Sequence, residues 1–224
     1  LHREGTKFVS TGPVQWKGGG KIGSSPVFKL GGTFDLGQLG DFEKNQSFSC
    51  GAWIRAKGNG TGGIIARMDE KNNYRGWDIW QNGREIGVHI IDQWPSNGMK
   101  VVTKKPVVKP GKWQHVFMTY DGSSKPGGIK IYIDGKEEST RIETQTLKDN
   151  ATVRTKTPLR IGQRSDTQVF AGGSVQDFRL YSERLSAVQV KALAGEAPIR
   201  SILAVPAAKR TKQQQKALFE HYLA

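Results

Sequence analysis

The sequence predicts an all-β fold, a sandwich of two antiparallel sheets with a short helical tail at the C-terminal end. Three observations carry that expectation. Twenty-eight glycines in 224 residues punctuate short apolar runs, the spacing of strands joined by tight turns. Asn-Gly and Asp-Gly dipeptides sit between segments of alternating hydrophobicity, the residue pairs that two-residue hairpin loops prefer because both accept positive φ. Helical periodicity is nearly absent before residue 186.

The hairpins are the most specific elements. Ile129-Lys130-Ile131-Tyr132-Ile133 alternates and then meets Asp134-Gly135. Trp77-Asp78-Ile79-Trp80-Gln81 turns at Asn82-Gly83 into a second apolar run ending at Ile91. Further strands are expected at 27–30, 47–55, 63–68, 101–103, 113–120, 157–161 and 175–181, with Trp53 and Trp113 as core anchors. At the end of the series Ser186 and Gln189 form a capping box, Leu185 can staple onto Val190, and Gly195 supplies a stop. These signals close the sandwich as a unit of residues 1–195. They leave 196–224 as a proline-bounded connector and a helix carrying Leu218, Phe219, Tyr222 and Leu223, leading to a following domain.

Composition narrows the function classes. The single cysteine, Cys50, excludes an internal disulfide framework and any cysteine-cluster zinc site. No apolar run approaches the length of a membrane span, and the start at Leu1 has neither an initiator Met nor a signal-peptide core, so the chain reads as a piece of a longer protein. Thirty-four Lys and Arg against twenty Asp and Glu give a net charge of +14, which favours acidic partners. The basic residues are scattered, however, and match no nucleic-acid-binding motif, so a solvated basic surface is preferred over a specific nucleic-acid site.

Four segments in order go beyond a generic sandwich. They are Phe48-Ser49-Cys50-Gly51-Ala52-Trp53-Ile54-Arg55, then Gly111 to Gly122, then Ile131-Tyr132-Ile133-Asp134-Gly135-Lys136, and finally Leu159 to Gly162 with Gly173 to Tyr181 and the Leu185-Ser186 helix start. Together they resemble the laminin-G-like domains of the concanavalin A-like lectin and glucanase superfamily, over about residues 25–195. The resemblance implies a concanavalin A-like jelly roll and a noncatalytic, lectin-like recognition module of an exported or cell-surface protein. The stretch from Leu203 to Leu223 is similar to the segment after such a domain in large planctomycete-type proteins that also carry cytochrome-c-like domains. That similarity implies an extracellular, periplasmic or cell-surface location and other domains of a parent protein as partners.

The chemistry of individual residues points the same way. Retaining glucanases of this fold carry Glu-x-Asp-x-x-Glu on one strand, and no Glu here is followed two places later by Asp, so a catalytic carboxylate pair is not expected. Histidines fall in no metal or triad spacing. Carbohydrate sites pair an aromatic platform with polar rim groups, and Tyr74, Trp77, Trp80, Asp92 and Trp94 concentrate such types. Trp77 and Trp80, three apart on one strand, face opposite sides, so one of them enters the core; packing and loop turns remain the alternative for the whole set. No cofactor is certain, and calcium is the one candidate. Gly162 to Thr167 resembles the pentraxin ligand loop with Asp166 at its aspartate, and Asp69, Asn72 and Asn73 could contribute oxygens, but Arg164 and Lys71 place positive charge there and favour solvated turns. The expected partner is a glycan or polysaccharide, acidic ones included. The alternative is a structural or protein-interaction module whose basic surface docks an acidic partner or a neighbouring domain.

Overall fold

A computed structural model describes residues 9–21, 23–164, 166–203, 205–212, 214–215 and 218–219. In chain order the first strands are β1 (Val9–Thr11), β2 (Val14–Lys17), β3 (Ser25–Phe28), β4 (Thr33–Asp35) and β5 (Phe48–Arg55). A meander comes next, of β6 (Thr61–Asp69), β7 (Arg75–Asn82), β8 (Glu85–Gln93) and β9 (Asn97–Thr103). The series continues with β10 (Trp113–Tyr120), β11 (Ile129–Ile133), β12 (Lys136–Glu137), β13 (Thr140–Gln145), β14 (Arg160–Ile161) and β15 (Ser174–Tyr181), and then helix α1 (Ala187–Leu203). One sheet has the order β1-β4-β14-β6-β7-β8-β9-β13 and the other β12-β11-β10-β5-β15, while β2 and β3 pair separately. All pairs of named strands are antiparallel.

Both anticipated hairpins form, but only one turns where expected. Asp134-Gly135 is the loop of the first, whereas in the second Asn82 still pairs with Glu85 and the loop is Gly83-Arg84, one residue later than Asn82-Gly83. Asp134 and Gly135 have φ of 52° and 78°, and Gly83 has φ of 61°, the left-handed values for which these residues are suited. Residues of alternate parity then face the second sheet. Trp77 and Ile79 of β7, with Val88 and Ile90 of β8, meet Cys50, Ala52 and Ile54 of β5 and Val116, Met118 and Tyr120 of β10 in one core. Asp78, Trp80 and His89 are thereby turned to the opposite, outer face of the larger sheet.

Several expectations need correction. Trp53 and Trp113 do not anchor the core, because Ala52, Ile54 and Val116 hold the inward positions on their strands. Trp53 lies instead on the outer face against His115, with ring centroids 5.5 Å apart, and Lys21 caps it at 4.0 Å. Ser186 caps α1 as expected, donating its N–H to Gln189 Oε1 at 2.8 Å and accepting the Gln189 N–H at 3.3 Å. Leu185 and Val190 are buried with Phe117 and Tyr132, so the helix covers the outer face of the five-stranded sheet. Gly195 does not end it; α1 continues to Leu203, and the expected connector from 196 begins as helix. A short 3-10 turn at Ala207–Lys209 comes after it, and Tyr222 and Leu223 lie outside the described residues.

The edge strand β13 leaves no mark in the sequence pattern, because Thr140–Gln145 has no buried face to impose an apolar alternation. Its Arg141 holds Glu85 through two bonds of 2.9 and 2.7 Å and also reaches Glu143. A register shift between Ile142 and Thr144 breaks the ladder to β9.

Candidate functional site

The outer face of the larger sheet carries a buried ion cluster roofed by aromatic rings. Asp78 on β7 is fully buried, and its two carboxylate oxygens have separate partners: Arg164 Nε at 2.7 Å and His89 Nδ1 at 2.7 Å. Burial alone would raise the Asp78 pKa, but the Arg164 guanidinium and His89 outweigh it and bring it down to about 2. An ionised Asp78 can only accept, so His89 Nδ1 carries the proton and donates it. Arg164 comes from the connection between β14 and β15, which folds back along β6, where Gly63 donates its N–H to the Gln168 carbonyl at 2.7 Å. A Cβ on Gly63 would come within 2.9 Å of the Arg164 backbone nitrogen, so that close approach requires glycine.

Three partly exposed rings surround this base. The Arg164 guanidinium lies 4.6 Å from the Trp80 ring centroid and 5.7 Å from that of Tyr74. His89 stands 5.3 Å from Trp80 and 5.6 Å from Trp94, the latter edge-on at 82°. Lys100 on β9 adds a second cation 5.2 Å from Trp80 and pairs with Glu143 at 2.8 Å. Trp94 sits in the turn between β8 and β9, and its N–H donates to the Asn73 carbonyl at 2.9 Å, joining that turn to the one bearing Tyr74. Asn73 and Tyr74 have φ of 55° and 62°, a conformation that costs a bulky residue about 1–3 kcal/mol.

Of the expected glycan residues, the structure therefore brings together Tyr74, Trp80 and Trp94. Trp77 is not among them. It is 1% exposed, packed 5.0 Å from Phe48 with its indole N–H donated to the Gly40 carbonyl at 2.9 Å. Asp92 stands behind the rings, paired with Arg75 at 2.8 Å and accepting from Asn97 Nδ2 at 2.8 Å, so it braces the Trp94 turn. Sequence reasoning did not single out His89, Arg164 or Lys100 for this site; only the strand alternation of His89 with Val88 and Ile90 could have placed it beside Trp80.

The loops considered for calcium engage one another. Asp69 Oδ1 accepts the Asn72 N–H at 3.2 Å, and Asp166 pairs with Lys71 at 3.1 Å. Asn72 and Asn73 are exposed on the turn. Glu70 receives the N–H groups of Asp166 and Thr167 at 2.8 and 2.9 Å together with the Thr167 hydroxyl. Burial opposes its ionised form, but these bonds hold its carboxyl below the usual carboxylate range. Among the described residues no three Asp, Glu, His or Cys side chains converge as a metal site would need. A separate cleft of about 420 Å³, lined by Trp16, Phe34, Ile161 and Phe178, opens at the edge between the sheets, but its apolar walls offer few groups to orient a sugar.

The family model described as concanavalin A-like lectin/glucanases superfamily matches residues 30–191. The chain belongs to that superfamily. Its structural neighbours are jelly-roll binding domains. They include the binding domain of Paraclostridial Mosquitocidal Protein 1, with a TM-score of 0.68 and 14% identity over 88% of this chain and 49% of that one. The botulinum neurotoxin serotype D ligand binding domain in complex with N-acetylneuraminic acid gives a TM-score of 0.62 and 15% identity, again over 88% of this chain and 48% of the other. At those identities the likeness concerns the fold. Among curated proteins, the adhesion G-protein coupled receptor V1 of Danio rerio is 28% identical over 151 residues, 66% of this chain. Usherin of Mus musculus is 32% identical over 96 residues, 40% of this chain. The chain spans 2% of the length of either relative and about half of each toxin domain.

Proposed function

We propose that this superfamily domain is a noncatalytic recognition module that binds a glycan on the outer face of its larger sheet. The observation that carries the reading is the convergence of Tyr74, Trp80 and Trp94 over the Arg164–Asp78–His89 cluster. Sugars present an apolar ring face and polar edges; the partly exposed rings supply the apolar platform, the exposed Asn72 and Asn73 beside Tyr74 supply polar groups, and the buried ion cluster holds the rings in place. The left-handed backbone at Asn73 and Tyr74 supports a functional role, since the fold sustains strain at the residues that would touch the ligand.

The same geometry argues against hydrolysis. A general acid must hold its proton near neutral pH, whereas Asp78 stays ionised and its oxygens are both engaged. The neurotoxin domain solved with N-acetylneuraminic acid and the adhesion receptor relative support recognition at a cell surface as the setting, within a larger exported protein that carries further domains. Among the described residues no helix is long and apolar enough to cross a membrane.

The deciding experiment is a glycan array probed with the purified chain, in calcium and in chelator, alongside Trp94→Ala. Saturable binding that the variant loses is the expected result. Equal binding by Trp94→Ala, or no bound glycan at all, would overturn the reading and leave a docking module in its place.

A further inference from the structure

The surplus positive charge is not spread evenly over the molecule. At the end of the sandwich opposite the turns that carry Tyr74 and Trp94, the chain between β9 and β10 crosses from one sheet to the other. The N–H groups of Val107 and Val108 bond to the Arg84 carbonyl on the larger sheet, and the Gly111 N–H bonds to the Ala56 carbonyl beyond β5 on the smaller one. This crossing carries Lys104, Lys105, Lys109 and Lys112, and it lies beside Lys57 and Arg84. All six are exposed, and none forms an ion pair among the described residues. Acids on the adjoining strands have other cations: Glu85 is held by Arg141, Glu143 by Arg141 and Lys100, and Glu137 by Lys130. At the opposite end Lys71 is paired with Asp166 and Arg75 with Asp92, and Lys125 and Lys148, unpaired among the described residues, stand on separate loops rather than along one crossing.

The crossing is also stiff. Pro106 and Pro110 fix two of its φ angles, and Val108 is 2% exposed. Gln114 accepts the Lys109 N–H through Oε1 and donates to the Val107 carbonyl through Nε2, while Arg84 Nε bonds the Val108 carbonyl at 3.1 Å. A fixed array of like charges stores electrostatic repulsion that a multivalent anion relieves, and holding it rigid lowers the cost of binding one.

We infer that this end is a second binding surface, specific for an acidic polysaccharide bearing sulfate or carboxylate groups, independent of the aromatic cup. Five of the six cations are lysines, point charges suited to dispersed anionic groups rather than to the forked recognition of a phosphate. The surface also lacks a stacking platform for nucleobases. Trp113, the indole nearest to the crossing, donates its N–H to Gly19 at 3.2 Å and has the Arg55 guanidinium over its ring at 5.1 Å.

The test measures binding of the purified chain to heparin across a salt series. Lys104→Glu/Lys105→Glu/Lys109→Glu is compared with Lys125→Glu/Lys148→Glu/Lys156→Glu, a set of equal net charge drawn from exposed lysines elsewhere. Urea midpoints confirm that both fold. Binding should fall steeply with salt, with a log–log slope of about 4 if all six cations release counterions. The first set should lose at least tenfold in affinity and the second less than threefold. Equal losses in the two sets would refute a localised surface, as would an absence of heparin binding at low salt. Tighter binding to a 20-base-pair duplex than to heparin, lost in the first set alone, would overturn the polysaccharide assignment in favour of nucleic acid. Because Trp94→Ala leaves these lysines untouched, it should retain heparin binding, which separates this inference from the fate of the aromatic cup.

Discussion

Asp78→Asn removes the negative charge on which the floor of the cup is built. The Asp78 side chain is fully buried, that of Arg164 is 7% exposed, and their contact is 2.7 Å. With an effective dielectric of about 20, unit charges about 4 Å apart attract by about 4 kcal/mol, and a buried cation left without its partner costs about 3–5 kcal/mol. The single variant should therefore lose about 3–5 kcal/mol of stability, read from urea unfolding followed by tryptophan fluorescence. Removing both charges together, as Asp78→Leu/Arg164→Met, should cost far less than the sum of the single changes, since neither charge is then stranded. Strict additivity in this cycle, or a loss below about 1 kcal/mol in Asp78→Asn, would refute the view that the pair acts as one unit.

Other expectations concern groups on the same framework. Trp77→Ala should cost about 3–5 kcal/mol by opening a cavity beside Phe48, whereas Trp94→Ala should cost much less stability and act on glycan binding, with the two separated by urea midpoints and array signal. Burial and the charge of Arg179 push His115 down to about 4 in the folded state, against an ordinary value near 6.5, although Asp177 opposes the shift. Its contribution is complete above about pH 6.5 and is lost as pH falls towards 4, by about 3 kcal/mol at most. His115→Phe should flatten the stability profile in that window, and an unchanged profile would remove His115 as its cause. Melting temperatures in millimolar calcium and in chelator should agree, because Lys71 and backbone N–H groups engage Asp166 and Glu70; a calcium-dependent rise would show an ion entering that rim.

Legibility in the sequence tracked the range of the interaction involved. The turn at Asp134-Gly135 is encoded by two adjacent residues and fell where expected, the one expected at Asn82-Gly83 moved a single residue to Gly83-Arg84, and the Ser186 cap needs only Gln189. The sides of Trp77 and Trp80 depend on which face of β7 meets Phe48 and the Gly40 carbonyl, so alternation could state only that they differ. In the sequence Arg164 is a charge that spoils a calcium loop. Its partner is Asp78, 86 residues earlier, and only the path of its loop along β6 brings the two together. The continuation of α1 through Gly195 shows the opposite failure, a local stop signal that the fold does not obey.

The bulged outer margin at Thr140–Gln145 has a consequence for assembly. A naked sheet edge is a template on which another chain can add a strand, yet here Arg141, Glu85 and Glu143 line it and the register shift at Ile142 interrupts its row of amides. Copies of this domain crowded on a surface or strung along one polypeptide would meet charge before they could zip together. Each sandwich would remain a discrete bead, free to engage ligands multivalently without merging into a shared sheet.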